Sequence, residues 1–461
     1  MMVLVLVALV AGASAEWAVR RLACEIEPTV GTVGDCGCEF EDVDSATHEF
    51  FGPILRNLTQ RKFFQYFQVD LDKACPFWDI EGMCQREACA VDTTTEAPES
   101  WVEEDEARRA WAVERTTSVS WVEEGGEEVW IEQGPDMAYI DLLRNPEKFT
   151  GYDGDGIWSA IYRENCFQDT EVPATDMLLN AYRRVVRKEG QCLERRIFYR
   201  LISGLQSSIS THIAKSEFDW KFLLRENGWL QGLRTLALGR PFANDPVFVA
   251  RVGAHKERLH NLYFAYLFLL RAATRAKDDL VSYDYDTGNP EDDAMTRELV
   301  RILVEDDGCV ARHAFDDSML FKPPEDARMS PLEKALARES VEDLRAEFLG
   351  RFRNISKIMD CVTCERCRLW GKLQILGIGT ALKILMMEGD AAGLGALQRN
   401  EVVALVNTLA QLAKSVDSVH HYWQRRDLKR GLAQWALLLS PLLLLFLTFQ
   451  STLKKRNNKI L

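Results

Sequence analysis

Three cysteines in seven residues, Cys361-Val362-Thr363-Cys364-Glu365-Arg366-Cys367, are the sharpest chemical feature of this 461-residue chain. They stand just before an apolar, helix-period run from Leu369 to Leu385. A Cys-x-x-Cys pair at a helix start suits redox work. The helix N-terminus carries partial positive charge and lowers a thiol pKa, and Arg366 and Arg368 add to that field. The thiolate is the reacting form, so such a pair is readily oxidised and reduced. Two other readings of the motif stay open. One is a purely structural trio. The other is a metal site, for which zinc would want another Cys-x-x-Cys about 15–20 residues on, and none follows. An iron–sulfur run would put its fourth Cys where Gly371 stands.

A second pair, Cys84-Gln85-Arg86-Glu87-Ala88-Cys89, borders an acidic stretch. Alone it reads as a small structural clip. An exposed disulfide is also a labile one, so the two pairs together suggest a relay with one dithiol on a mobile arm and one on a rigid helix. A relay needs an electron sink, and no standard cofactor fingerprint supplies it. Gly377-Ile378-Gly379 lacks the third Gly and the preceding strand of a dinucleotide site. Asp153-Gly154-Asp155-Gly156 lacks the later Glu of a calcium loop. There is no nucleophile elbow and no His-Glu-x-x-His pair. No resident metal is expected, and any cofactor must sit in a helical bundle.

The elements that would position these groups are mostly helical. Phe198, Leu201, Ile202, Leu205, Ile209 and Ile213 follow helix spacing. Leu262 to Ala273 is apolar nearly all round, as in a buried helix. Leu373, Leu376, Ala381, Leu382 and Leu385 form another face, in which the glycines permit close packing. Residues 401–416 are amphipathic. The Asp-, Gly- and Pro-rich stretch 277–295 reads as a loop. The expected fold is mainly α: one large helical-bundle domain over 137–430, with a Cys-rich, loop-rich segment over 16–91. Residues 92–136 hold 14 acidic and 3 basic residues, and read as a flexible acidic loop. Ser100-Trp101-Val102-Glu103-Glu104 recurs in it as Ser120-Trp121-Val122-Glu123-Glu124. The two copies read equally well as docking motifs or as solvated spacer.

The ends point to an export route. Val3 to Val10 followed by Ala13-Ser14-Ala15 reads as a signal peptide over residues 1–15. Leu432 to Phe449 is uncharged and long enough to cross a hydrocarbon core of roughly 30 Å. It predicts an anchor over 431–450 and a short basic cytosolic tail over 451–461, with a buried core helix as the alternative. Asn57 and Asn354 begin glycosylation sequons. The net charge of -14 excludes a nucleic-acid binder, which needs a basic face. In an oxidising compartment the 12 cysteines should mostly pair.

Ordered blocks along the chain resemble a known family. Cys75-Pro76-Phe77-Trp78 precedes Cys84 and Cys89; Tyr139-Ile140-Asp141-Leu142, Asn145-Pro146-Glu147, Thr150-Gly151-Tyr152 and Glu164-Asn165-Cys166-Phe167 follow. Then come Phe198-Tyr199-Arg200-Leu201-Ile202-Ser203-Gly204-Leu205, Asn261-Leu262-Tyr263-Phe264, and Arg353-Asn354-Ile355-Ser356 ahead of the cysteine triplet. Over roughly residues 24–416 the chain resembles the endoplasmic reticulum oxidoreductins.

The resemblance implies an FAD-dependent thiol oxidase of the endoplasmic reticulum membrane with a luminal catalytic domain. Cys84–Cys89 would be the shuttle disulfide oxidising reduced protein disulfide isomerase. Cys364–Cys367 would be the inner pair at the flavin, and oxygen would take the electrons to give hydrogen peroxide. Cys75–Cys361 and Cys166–Cys192 would be structural bridges. Lys148, Thr150, Trp158, Ser203, Gln206, Arg251 and Arg258 would contact FAD. Lys148 replaces a usual Arg and Gln206 a usual His. Residues 90–165 hold no cysteine, so switching by loop cysteines is expected to be absent. The resemblance leaves the pairing of Cys24, Cys36, Cys38 and Cys309 open. A rival reading is a disulfide-stapled, membrane-anchored luminal binding protein without redox activity. A zinc-binding scaffold is a third, which would carry metal and no yellow colour.

Overall fold

A computed structural model describes residues 33, 38–77, 89–93, 97–98, 100–101, 138–148, 157–165, 197–213, 252, 255–305, 348, 350–386 and 397–422. The signal-peptide, anchor and tail stretches lie outside them. So do Cys84, Thr150, Arg251, Cys166, Cys192 and most of the acidic stretch. No helix among the described residues is long and apolar enough to cross a membrane.

The first described elements are helices α1 (Phe40–Ala46) and, after a π-helical turn at Thr47–Phe51, α2 (Gly52–Leu58) and the one-turn α3 (Lys62–Gln65). This corrects the loop-rich reading of 16–91. The helices are short, so no long periodic run marks them. Phe51, Leu55, Leu58, Phe63 and Phe64 nevertheless bury one face. Strands β1 (Tyr66–Val69) and β2 (Ala138–Asp141) pair antiparallel, with Tyr66 opposite Asp141 and Val69 opposite Ala138. The four-residue β2 opens a region that reads as helical throughout.

Further along come α4 (Ile157–Asn165), α5 (197–213), α6 (Lys256–Arg275), α7 (Lys277–Ser282), α8 (Pro290–Val304), α9 (350–359), α10 (Glu365–Met386) and α11 (399–422). Only 283–289 of the expected 277–295 loop is irregular. The start signals of α8 outweigh its polar composition. Asn289 accepts hydrogen bonds from the Glu291 and Asp292 amides, Pro290 opens the first turn, and Glu291, Asp292 and Asp293 face the helix dipole.

The long helices α5, α6, α10 and α11 close into a cycle of contacts, a mainly α bundle of the kind the periodicity predicts. A Cβ on Gly204 of α5 would fall onto the Asn261 carbonyl oxygen and lie 2.6 Å from the Ala265 Cβ on α6. Helix α6 packs on α10, and Arg275 donates to the Leu385 carbonyl at 3.0 Å. A Cβ on Gly377 of α10 would strike the Thr408 hydroxyl and lie 2.6 Å from the Ala404 carbonyl oxygen on α11. Beside that contact Lys383 meets the buried Glu401 at 3.0 Å. Ser415 of α11 returns to α5, with its Oγ 2.8 Å from that of Ser208. Leu201, Ile202, Leu262 to Leu270, Leu373 and Leu382 fill the interior.

The sheet hangs on α11. Asn400 bonds both the amide and the carbonyl of Gln68, at 2.9 and 2.8 Å, much as a neighbouring strand would. Arg399 donates to the Phe63 and Tyr66 carbonyls and lies 3.8 Å over the ring of Trp101. Trp101, from the first of the two repeats, is buried against Phe63, Tyr66 and Tyr139 and donates to the Asp286 carbonyl. Trp121 lies outside the described residues.

Candidate active site

The cysteine triplet occupies the turn between α9 and α10. Cys361 is joined by a disulfide to Cys75, 286 residues earlier, which fastens the segment after β1 to that turn. Cys364 and Cys367 are fully buried at the start of α10. The Lys148 carbonyl oxygen accepts from Cys367 Sγ at 2.7 Å. Arg366 and Arg368, expected to act on the thiols, work as clamps on main chain. Arg366 donates to the Ala90 carbonyl, and Arg368 to those of Val362 and Leu71.

Cys89 is also buried, and its flank is docked on the same helix start. The Val91 amide donates to Glu365 at 2.9 Å, and Ala90 accepts from Arg366 at 2.9 Å. Glu365 and Arg366 are the two residues between Cys364 and Cys367. Asn145 pins the next residue: its side chain accepts from the Asp92 amide and donates to the Asp92 carbonyl, at 2.7 and 2.9 Å. Its own carbonyl takes the indole N–H of Trp370 on α10 at 2.7 Å.

Along α10, Cys367, Gly371 and Gln374 follow i, i+4, i+7 spacing and share one face. Gly371 and Gln374 line a small apolar cavity, together with Trp158, Ile161, Ile202, Leu205, Ile209, Met359 and Ile375. The Nε2 of Gln374 donates to the Glu147 carboxylate at 3.2 Å. Its Oε1 is buried with no partner among the described residues.

Behind Trp158 lies a polar cluster. Tyr162 is stacked at an angle on Trp158, 6.2 Å between centroids, and donates to Gln206 Oε1. Asn261 donates to the buried Ser203 hydroxyl at 3.0 Å. Tyr199 donates to Glu257 at 3.1 Å. Burial pushes the Tyr162 phenol above its usual pKa, against the pull of the Ser203 hydrogen bond and the Arg258 charge. Burial and the Glu257 carboxylate push Tyr199 the same way. Both phenols stay protonated at neutral pH and can donate.

Of the expected cofactor contacts, the structure gathers Trp158, Ser203, Gln206 and Arg258 in this cluster. Lys148 stands apart: its side chain is exposed, and its carbonyl is what meets Cys367. Sequence reasoning missed Tyr162, Asn145, Glu365 and Gln374 as site residues. Tyr162 carried a usable signal, since it follows Trp158 by four residues. Of the sequons, Asn57 is exposed on α2 and Asn354 half-buried on α9. Cys38 is buried, and Cys24, Cys36 and Cys309 lie outside the described residues.

The profile of the endoplasmic reticulum oxidoreductin 1 family matches residues 51–419. The chain belongs to that family. As an oxidoreductin it is an oxidoreductase that acts on disulfides. Endoplasmic reticulum oxidoreductin-2 of Arabidopsis thaliana is 37% identical over 430 residues, covering 86% of this chain and 79% of that protein. ERO1-like protein alpha of Rattus norvegicus is 33% identical over 459 residues, covering 88% and 92%. The fold of the oxidoreductin superposes on a cysteine-substituted mutant of S. cerevisiae Ero1p with a TM-score of 0.54 at 27% identity, over 86% of this chain and 99% of that one. A further Ero1p structure, described as a source of disulfide bonds for oxidative protein folding in the cell, superposes at 0.53 with 28% identity.

Proposed function

We propose that this oxidoreductin is the FAD-dependent oxidase of reduced protein disulfide isomerase, with Cys84–Cys89 as shuttle and Cys364–Cys367 as inner pair. One observation carries the reading: the main chain next to Cys89 is hydrogen-bonded to Glu365 and Arg366, between the two inner cysteines. A shuttle delivered there meets its acceptor.

The site fits a flavin ring. Trp158 offers an aromatic face, Gly371 leaves room beside α10, and Gln374 brings a buried acceptor without a protein partner among the described residues. Ser203, Gln206 and Arg258 would hold the rest, with Thr150 and Arg251 as further proposed contacts. When bound, FAD supplies a two-electron acceptor that oxygen regenerates with release of hydrogen peroxide.

The chain's own steps are thiol–disulfide exchanges. A thiolate of the isomerase attacks the Cys84–Cys89 bond; a mixed disulfide forms, and the partner's second thiolate resolves it. The isomerase leaves oxidised, and Cys84 and Cys89 hold its two electrons as thiols. One of them then attacks Cys364–Cys367 and the other closes the shuttle again, so the electrons pass to the inner pair. Cys367 shares its helix face with the cavity residues Gly371 and Gln374, so it faces the cofactor and Cys364 takes the attack. The Lys148 carbonyl accepts a hydrogen bond from the Cys367 thiol and so orients it. Burial of the inner pair keeps other thiols out. The endoplasmic reticulum lumen belongs to the same reading, with 432–449 as anchor; extraction of membranes at alkaline pH should leave the full chain in the pellet.

The test is an anaerobic visible spectrum during titration with reduced isomerase. A flavin band should bleach and return with air. Cys84→Ala should keep the band and stop its bleaching. A colourless folded protein would overturn the assignment.

A further inference from the structure

A second set of chemically capable side chains lies away from the cysteines, where the π-helical turn at Thr47–Phe51 meets α11. Single π turns recur at functional sites. Here Thr47 and Phe51 are buried while His48 is exposed. The Thr47 hydroxyl donates to the Val43 carbonyl at 2.6 Å and can accept from the Tyr266 hydroxyl at 3.2 Å. Gly52 closes the turn, and a Cβ there would lie 2.7 Å from the Thr47 carbonyl oxygen.

His48 thereby reaches α11. Its Nδ1 is 2.8 Å from Asp417 Oδ1, across 369 residues of chain. His421 follows Asp417 by one helical turn on the same face, with Nε2 3.6 Å from the same oxygen. The ligand atoms of His48, Asp417 and His421 all lie within 4.8 Å of one another. A tetrahedral zinc ion with donors at about 2.0–2.1 Å holds them about 3.4 Å apart. Separations of 2.8 and 3.6 Å bracket that value. The neighbouring His420 is engaged with another carboxylate, with Nδ1 3.2 Å from Asp44 Oδ2. Asp44 in turn accepts from the buried Tyr263 hydroxyl at 2.5 Å.

We propose that His48, Asp417 and His421 form a site for a divalent transition ion of the zinc type, clamping the π turn onto α11. Two imidazoles and one carboxylate are a standard zinc donor set, and three protein ligands leave a position for water. One carboxylate oxygen already gathers two imidazoles from separate elements, and the side chains are partly open to solvent, so an ion can enter. No contiguous motif announces the site, because His48 stands 369 residues before Asp417 in the sequence. The ion would tie the π turn to α11 and stabilise the native chain by mass action. The site is independent of the cysteine relay.

The test uses the full chain with its cysteines oxidised, stripped with EDTA and titrated with ZnCl2 against a chromophoric chelator. Wild type should take up one equivalent, and zinc should raise its melting temperature. The double variant His48→Gln/His421→Gln should lose at least about 100-fold in affinity, since even changing a residue that only hydrogen-bonds a ligand costs tenfold or more. Its zinc-dependent rise in melting temperature should vanish while its circular dichroism stays unchanged. Asp417→Asn should weaken binding in the same sense. Equal uptake by wild type and the double variant, or none by wild type, would overturn the site.

Discussion

The inner cysteines and the flank of Cys89 meet at one helix start but are held by different physics. Cys364 and Cys367 ride on α10, whose far side presses backbone to backbone against α11 at Gly377. The flank of Cys89 is held by Glu365, Arg366 and Asn145, each through a hydrogen bond between side chain and main chain. Close packing is lost only by moving a helix. A hydrogen bond at a half-exposed site is worth about 1 kcal/mol net, and water can replace it. The proposed relay would need this asymmetry: a pair at the cofactor must stay put, and a pair that serves a partner must come and go.

The comparison breaks first at the inner pair. Cys367→Ala should cut oxygen consumption with reduced isomerase to background while the protein stays folded and coloured; full turnover would remove Cys367 from the relay. Gly377→Val comes next. The added carbons must displace Thr408 and the Ala404 carbonyl, an overpacking cost of about 1–3 kcal/mol. The melting temperature should fall by several degrees. An unchanged melting temperature would mean that α10 and α11 are looser than their contact implies.

At the shuttle end the same logic predicts a local effect. Glu365→Ala frees the Val91 amide, so its hydrogen exchange should speed by about tenfold, equivalent to roughly 1.4 kcal/mol. Global stability should stay nearly constant, because no core atom moves. A large drop in melting temperature with Val91 exchange unchanged would reverse the assignment of rigid and mobile ends.

The bundle was legible because its helices are long and their apolar spacing regular. Phe198 to Ile213 and Leu262 to Ala273 could be read directly. The short helices at 40–65 were not, since one or two turns give no period to detect. Helix α8 hid behind acidic residues that serve its first turn. Within the site, the cysteine spacing singled out Cys364 and Cys367 as a candidate pair, and the resemblance pointed to Trp158, Ser203 and Gln206, which the structure places near one another. Asn145, Glu365 and Gln374 act through contacts between segments tens to hundreds of residues apart, and no local pattern encodes those. Lys148 teaches the converse. The resemblance implies a charged contact for its side chain, and the structure adds a second role, a carbonyl that meets Cys367, which any residue would bring.

That last point yields the smallest effect and the finest test of the contrast. If the inner end is held by backbone, swapping an exposed side chain there should matter little. Lys148→Arg restores the planar fork that sequence comparison would favour. The Lys148 side chain is exposed, however, and its carbonyl already meets Cys367 at 2.7 Å. Flavin affinity and turnover should therefore change by less than about threefold, within roughly 0.5 kcal/mol as for most surface substitutions. Fluorescence titration of the stripped protein with FAD would read this directly. A gain of tenfold or more would show that the fork reaches the cofactor, and that the inner end depends on a mobile side chain as the shuttle end does.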